Sequence, residues 1–212
     1  MPSDVPSDED VVSPIDLRTM ADARHWATIA LMKRPARSQF FQCFVDQLRL
    51  LRLAEPSVLE LGSGPGFLAR QVLEAIPSVH YTMLDFSLAM HELAREHLGS
   101  FAFMARQVEA DFKTSGWTTG LGTFDAAITM QAVHEVRHKR HVPDFHVSVR
   151  SLLKANGRYL VCDHYVGSDG MKDEALYMTV EEQRDALRLA GFNTVRCILR
   201  KDGLVLHSAA ID

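Results

Sequence analysis

A chain of 212 residues, 47% hydrophobic and 24% charged, can bury one substantial core and has the balance of an ordinary globular domain. A formal net charge of −4 and a pI near 6.2 exclude a general electrostatic pull toward nucleic acid or anionic lipid. No apolar run approaches the ~20 residues needed to span a bilayer, and Cys43, Cys162 and Cys197 form no C-x-x-C pair, which predicts reduced thiols and a cytoplasmic location.

Residues 1–14 hold prolines, acids and serines without hydrophobic periodicity and are expected to form a disordered arm; they are not a secretory signal. Residues 15–55 are expected to be a helical lid segment. Apolar residues recur at helical spacing from Ala21 to Met32 and from Arg37 to Leu53, with Pro35 separating the two helices. Trp26, Met32, Arg34 and Arg37 are candidates for covering an acceptor, with Trp26 the substrate candidate. The competing reading is that Trp26 only packs the helix pair onto the sheet.

From residue 56 onward the texture changes. Strand candidates at Val58–Leu61, His80–Leu84, Ala102–Arg106, Phe124–Met130 and Arg158–Cys162 alternate with helix candidates at Phe67–Ala75, Ser87–Leu98 and Val142–Leu153. That alternation predicts parallel β-α-β units with right-handed crossovers. A further helix, Val180–Leu189, stops at Gly191. Two apolar runs, Thr194–Leu199 and Leu204–Ala209, then flank Lys201-Asp202-Gly203, a hairpin signal. Residues 56–212 are therefore expected to be a doubly wound, mainly parallel, seven-stranded α/β sheet ending in an antiparallel hairpin, preceded by two helices.

The stretch VLELGSGPGF, Val58–Phe67, runs a strand through Gly62, Gly64 and Gly66 into a helix. Such a turn lets a ligand approach the backbone at the carboxyl end of the first strand, where doubly wound sheets bind nucleotides. A G-x-G-x-x-G fingerprint counted from Gly62 needs a glycine where Phe67 stands. Pro65 removes an amide a diphosphate would use, and a P-loop lysine is absent. Glu60 repels phosphate and suits a cationic ligand. Asp85, ending the second strand, is placed to accept from ribose hydroxyls, with Phe86 over adenine; after the third strand Asp111 can accept the adenine amino hydrogens and Phe112 adds a flat apolar contact.

Glu60–Gly66 as E-x-G-x-G-x-G, Asp85, Ala110-Asp111 and Phe124-Asp125-Ala126 together resemble the class I S-adenosylmethionine-dependent methyltransferases, Rossmann-like and of the small-molecule type, over roughly Ser57–Val166. The resemblance implies adenosylmethionine as cofactor, with Glu60 near its ammonium, Gly62 and Gly64 beneath it, Asp85 on the ribose and Asp111 on the adenine. It also likens the terminal hairpin to that family's sixth and seventh strands, and the placing of His134 to many small-molecule members.

An acceptor would enter above the carboxyl ends of the fourth and fifth strands, at Met130–Glu135 and Asp163–Tyr165. Methyl transfer is an in-line displacement, so positioning and a base are wanted. His134 and Asp163 are the catalytic candidates, His164 and Tyr165 further substrate residues, and Gln131 a contact near the sulfonium; no metal is expected, although Mg²⁺ use stays open. Alternatives are an RNA- or protein-directed methyltransferase and a non-catalytic adenosylmethionine-binding partner subunit. A zinc hydrolase is the remote one: His134-Glu135-Val136-Arg137-His138 reads H-E-x-x-H, but follows a strand closely and sits among Arg137, Lys139 and Arg140. The basic run Arg137–His141 reads as a solvated loop or as a contact for phosphate or RNA. The expected partner is a small-molecule acceptor, with no membrane and no nucleic acid.

Overall fold

A computed structural model of the chain describes residues 9–33 and 36–211. Seven strands, β1 (Ser57–Leu61), β2 (His80–Asp85), β3 (Ala105–Glu109), β4 (Phe124–Met130), β5 (Leu153–His164), β6 (Thr194–Lys201) and β7 (Leu204–Ala210), form one sheet in the order β3-β2-β1-β4-β5-β7-β6. The pairs from β3 through β5 are parallel; β7 runs antiparallel to both β5 and β6. The doubly wound sheet with a terminal antiparallel hairpin is thus the observed architecture. Strand order reverses between β1 and β4, which opens a crevice at their carboxyl ends.

Alternation along each strand sorts the core into two layers. Val58, Tyr81, Met83, Ala126, Ile128, Leu160 and Leu206 face helices α2 (Arg37–Arg49), α3 (Phe67–Ala75) and α4 (Leu88–Leu98). Leu59, Leu61, Leu84, Ala127, Tyr159, Val161 and Ala209 face α5 (Val142–Ser151) and α6 (Val180–Leu189). Helix α1 (Met20–Lys33) lies across α4, where Ala23 packs on Ala89, Met90 and Leu93. Glu60 shares the Val58 face and Asp163 the Val161 face, so the strand period alone assigns each carboxylate its layer.

Several boundaries move from the sequence expectation. The third strand starts at Ala105, because Gly99–Met104 forms a 3-10 turn that leaves Phe103 96% exposed; parallel pairing begins only where Ala105 meets Tyr81. β5 begins at Leu153, which pairs with Phe124 ahead of a register shift. α2 stops at Arg49, and Arg52 takes a left-handed φ of 55°. The hairpin turn has Asp202 and Gly203 at φ 48° and 74°, the two positive angles a tight two-residue turn requires. Arg34 and Pro35 lie outside the described residues, as do residues 1–8. The rest of the expected disordered arm is docked: Val11 donates its amide to the Arg137 carbonyl at 2.8 Å, and Arg137 Nε and Nη2 donate to the Val11 and Val12 carbonyls at 2.8 and 3.0 Å. A buried arginine with spare donors supplies the ordering that composition alone could not reveal.

Candidate active site

The glycine loop leaves β1 with Gly62, Gly64 and Gly66 at φ 65°, 52° and 75°. All three are left-handed, the conformation glycine adopts without penalty. A Cβ at Gly62 would lie 2.3 Å from Ala132 Cβ, whereas one at Gly64 would meet open space. The loop is fastened by Asp85: one carboxylate oxygen accepts the Gly64 amide at 2.8 Å and the other the Ser87 amide at 3.0 Å. Burial raises the Asp85 pKa against the pull of those two amides. Glu60, 3% exposed, accepts the Tyr81 hydroxyl at 2.9 Å. Burial, with a smaller push from Asp85, lifts its pKa to about 8 although the Tyr81 hydrogen bond opposes this.

A cavity of about 420 Å³ opens beside this loop. Glu60, Ser63, Gly64 and Asp85 line its polar wall, while Phe86 and Phe112 line an aromatic end. The Arg18 guanidinium lies 4.8 Å from the Phe86 ring centroid. Ser63 Oγ is buried and finds no hydrogen-bond partner among the described residues, so the wall presents a polar atom with nothing else to bond. This combination suits adenosylmethionine: there is an open glycine cradle, a carboxylate for a diol, aromatic faces, acids for a cation and, among the described residues lining the cavity, no lysine for phosphate.

Gln131, His134, Glu135, His164 and Tyr177 also line the cavity, together with Trp26 and Arg37 of the helical pair. His134 Nδ1 lies 2.7 Å from one Asp163 oxygen, and the His134 amide donates to the other at 2.8 Å. Asp163 thereby fixes both the backbone and the ring of His134. The His164 amide also donates to Asp163, at 2.7 Å. Burial works against charge on His134, but Asp163 and then Glu135 outweigh it and raise its pKa to about 10. The charge of His134 in turn holds Asp163 below the usual carboxylate range despite burial. Gln131, at φ 57°, donates through Nε2 to His164 Nε2 at 2.8 Å and accepts from Arg37 Nε at 2.6 Å. Tyr177, its pKa pushed up to about 12 chiefly by burial, sets its ring 5.4 Å from that of His134.

Residues 58–157 match a family profile described as a methyltransferase domain. Over those residues the chain is similar to methyltransferase domains. Over 112 residues it is 29% identical to the malonyl-[acyl-carrier protein] O-methyltransferase of Legionella pneumophila, covering 53% of this chain and 37% of that one. Human N-acetylserotonin methyltransferase, solved in complex with SAM, superposes with a TM-score of 0.70 at 18% identity, covering 92% of this chain and 57% of that one. A candidate O-methyltransferase from Nostoc punctiforme gives 0.71 at 16% identity, covering 87% and 59%. The chain therefore spans less than two thirds of the length of each of these relatives, and the two structures establish likeness of fold.

Most positions singled out in the sequence converge in the structure. Glu60, Gly62, Gly64, Asp85, Phe86, Phe112, Gln131, His134, His164 and Trp26 all line the one cavity, and Asp163 stands directly behind His134. Two do not. Asp111 is absent from the cavity wall: its carboxylate faces Arg18 at 3.6 Å and Lys113 at 3.8 Å, and accepts the Lys113 amide at 3.0 Å, which occupies it at the rim. Tyr165 lies away from the cavity because residue alternation turns it opposite to His164; its hydroxyl donates to Asp169 at 2.6 Å and Arg200 covers its ring at 4.4 Å.

The H-E-x-x-H pattern does not occupy one helix. Its first histidine lies in a 3-10 turn, Val133–Val136, after which Arg137 takes φ 67°, and His138 caps a separate turn, Lys139–His141. Among the described residues no group of three or more His, Cys, Asp or Glu is arranged to hold a metal. The basic run is internally paired: Lys139 with Glu182 at 2.8 Å, and Arg140 and His141 each with Asp10 at 2.8 Å. Sequence reading missed Ser63, Glu135 as a wall residue, Leu17 and Tyr177. Ser63 was signalled by its place inside the glycine loop; Tyr177 sits in a long aperiodic segment and gave no signal.

Proposed function

We propose that this protein is an S-adenosylmethionine-dependent methyltransferase acting on a small acceptor through an oxygen nucleophile. The observation that carries the reading is the shared cavity: the glycine loop, Glu60 and Asp85 line it together with His134, which Asp163 holds. The acceptor class also draws on the relatives, whose names include O-methyltransferases.

Bound adenosylmethionine supplies an electrophilic methyl group on a sulfonium. Asp85 would hold the ribose, Phe86 and Phe112 the adenine, and Glu60 and Ser63 the amino-acid end; Asp111 is better suited to fixing the rim than to touching adenine. Glu60, largely protonated near neutrality with its pKa at about 8, ionises when a cationic group sits beside it. Trp26 and Arg37 close the cavity from above and exclude water. His134 carries a proton between Asp163 and Glu135, and any positive occupant of the cavity opposes that charge. Neutral His134 with Nδ1–H held by Asp163 leaves Nε2 to accept the acceptor's proton.

The test is calorimetric titration with adenosylmethionine in buffers of differing ionisation enthalpy. Binding is expected to release a proton from Glu60 near pH 7, with affinity rising toward pH 8 as that group ionises unaided. Absence of binding removes the proposal. Binding without turnover of any acceptor would instead support a silent binding subunit, and turnover untouched by His134→Ala and Asp163→Asn would remove the catalytic role of that pair. The internally paired basic run gives no support to a nucleic-acid acceptor.

A further inference from the structure

His134 is flanked by a second carboxylate that the proposed mechanism does not need. Glu135 Oε1 lies 3.5 Å from His134 Nε2, the nitrogen assigned above to take the acceptor's proton. Its other oxygen accepts from Arg137 Nη1 at 3.2 Å. Arg137, only 8% exposed, spends its remaining donors on the strap formed by residues 10–12, through the Val11 and Val12 carbonyls. That strap is pinned a second time where Asp10 meets Arg140 and His141, both at 2.8 Å. Farther on, the same segment runs along the cavity: Leu17 lines it and accepts the Ser87 hydroxyl through its carbonyl, and Arg18 covers Phe86. An unbroken polar chain therefore leads from strap to Arg137 to Glu135 to His134.

We propose that Glu135 is a positioning residue for His134, and that the docked strap, acting through Arg137, sets how strongly Glu135 holds Nε2. With the strap docked, Arg137 shares the Glu135 carboxylate and draws part of its charge away from the imidazole. With the strap displaced, the guanidinium swings to solvent, Glu135 turns its full charge on His134 and Nε2 stays protonated and engaged. Closure of the strap beside the cavity and release of the base are then one event. The groups that face His134 from the elements packed around it are Asp163 and His164 at the end of β5, Tyr177 on the segment beyond, and Glu135 itself. Asp163 holds the opposite nitrogen and stays in place in either state, so Glu135 is the variable partner. The inference rests on the proposed function for its meaning, but its test uses no ligand.

The experiment is a pH titration of the His134 imidazole by NMR on the full chain, with hydrogen exchange of the Val11 amide recorded on the same samples. Glu135→Gln should lower the His134 midpoint by about one pH unit or more, the scale for losing a nearby opposite charge. Arg137→Met should raise that midpoint and speed Val11 amide exchange at least about tenfold, since a free strap no longer protects it. Removal of residues 1–12 should raise the midpoint in the same direction. Arg137→Lys retains the charge at the position, and serves as the second variant if methionine there disturbs folding. An unmoved midpoint in Glu135→Gln with native spectra overturns the role of Glu135. A fall in Arg137→Met, or no change on truncation, overturns the coupling to the strap. Failure of adenosylmethionine to bind in calorimetry would remove the proposed function and leave these outcomes readable.

Discussion

Gly62 and Ala132 meet where the nucleotide-type loop after β1 touches the segment that carries His134, and their contact makes a quantitative prediction. Gly62→Ala introduces a Cβ 2.3 Å from Ala132 Cβ on a backbone held at φ 65°. The left-handed conformation costs a non-glycine residue about 1–2 kcal/mol. Relieving the overlap, which forces two loops apart in a packed interior, costs a further ~1–3 kcal/mol. The single variant should therefore lose ~2–5 kcal/mol in urea unfolding, read at constant slope. Ala132→Gly removes the clashing atom and leaves the torsional penalty. The double variant should recover the overlap part, a coupling of ~1–3 kcal/mol in a double-mutant cycle, and retain the rest. Adenosylmethionine affinity should follow, weakened in Gly62→Ala and partly restored in the double variant. Strictly additive losses would refute the contact, and a neutral Gly62→Ala would refute the loop conformation itself.

Asp85→Asn replaces a carboxylate that accepts from both Gly64 and Ser87 with an amide able to serve only one of them. Together with the lost ribose contact it should weaken adenosylmethionine binding about 10- to 100-fold, the equivalent of ~1.5–3 kcal/mol, while unfolding stays cooperative; unchanged calorimetric affinity would contradict it. His207 is buried without a hydrogen-bond partner for either ring nitrogen among the described residues, and burial lowers its pKa to about 4. The unfolded chain takes up its proton near pH 6.5 and the folded chain does so only near 4, so stability falls as the pH drops through that window. Relative to His207→Leu, the wild type should lose on the order of 3 kcal/mol more between pH 6.5 and 4. Parallel pH profiles of the two proteins in chemical unfolding would count against a neutral buried imidazole.

Much of the fold could be read from the sequence because its signals are local. The strand period, the glycine run after Leu61, the Asp-Gly hairpin and helix α6 are set by torsional preference and by which side of a strand a residue takes. These fixed β4, α3 and α6 to the residue, and with them the doubly wound sheet. They failed at Ala102–Met104, where an apolar run that would pass for strand has no neighbour to pair with until Ala105.

The site divides in the same way. By itself the sequence determined that Glu60, the glycine loop and Asp85 would stand together, because one βαβ unit brings the ends of two adjacent parallel strands side by side. It also placed His134 and Asp163 at neighbouring strand ends. Only the tertiary structure decided that Asp163 grips both the ring and the amide of His134, that Asp111 is spent on Arg18 and Lys113, and that Tyr165 belongs to Asp169 and Arg200. It alone tied an arm of apparently disordered composition to Arg137. The His134–Asp163 and Arg137–Val11 contacts join residues 29 and 126 positions apart, a matter of competing partners in space that no local preference encodes.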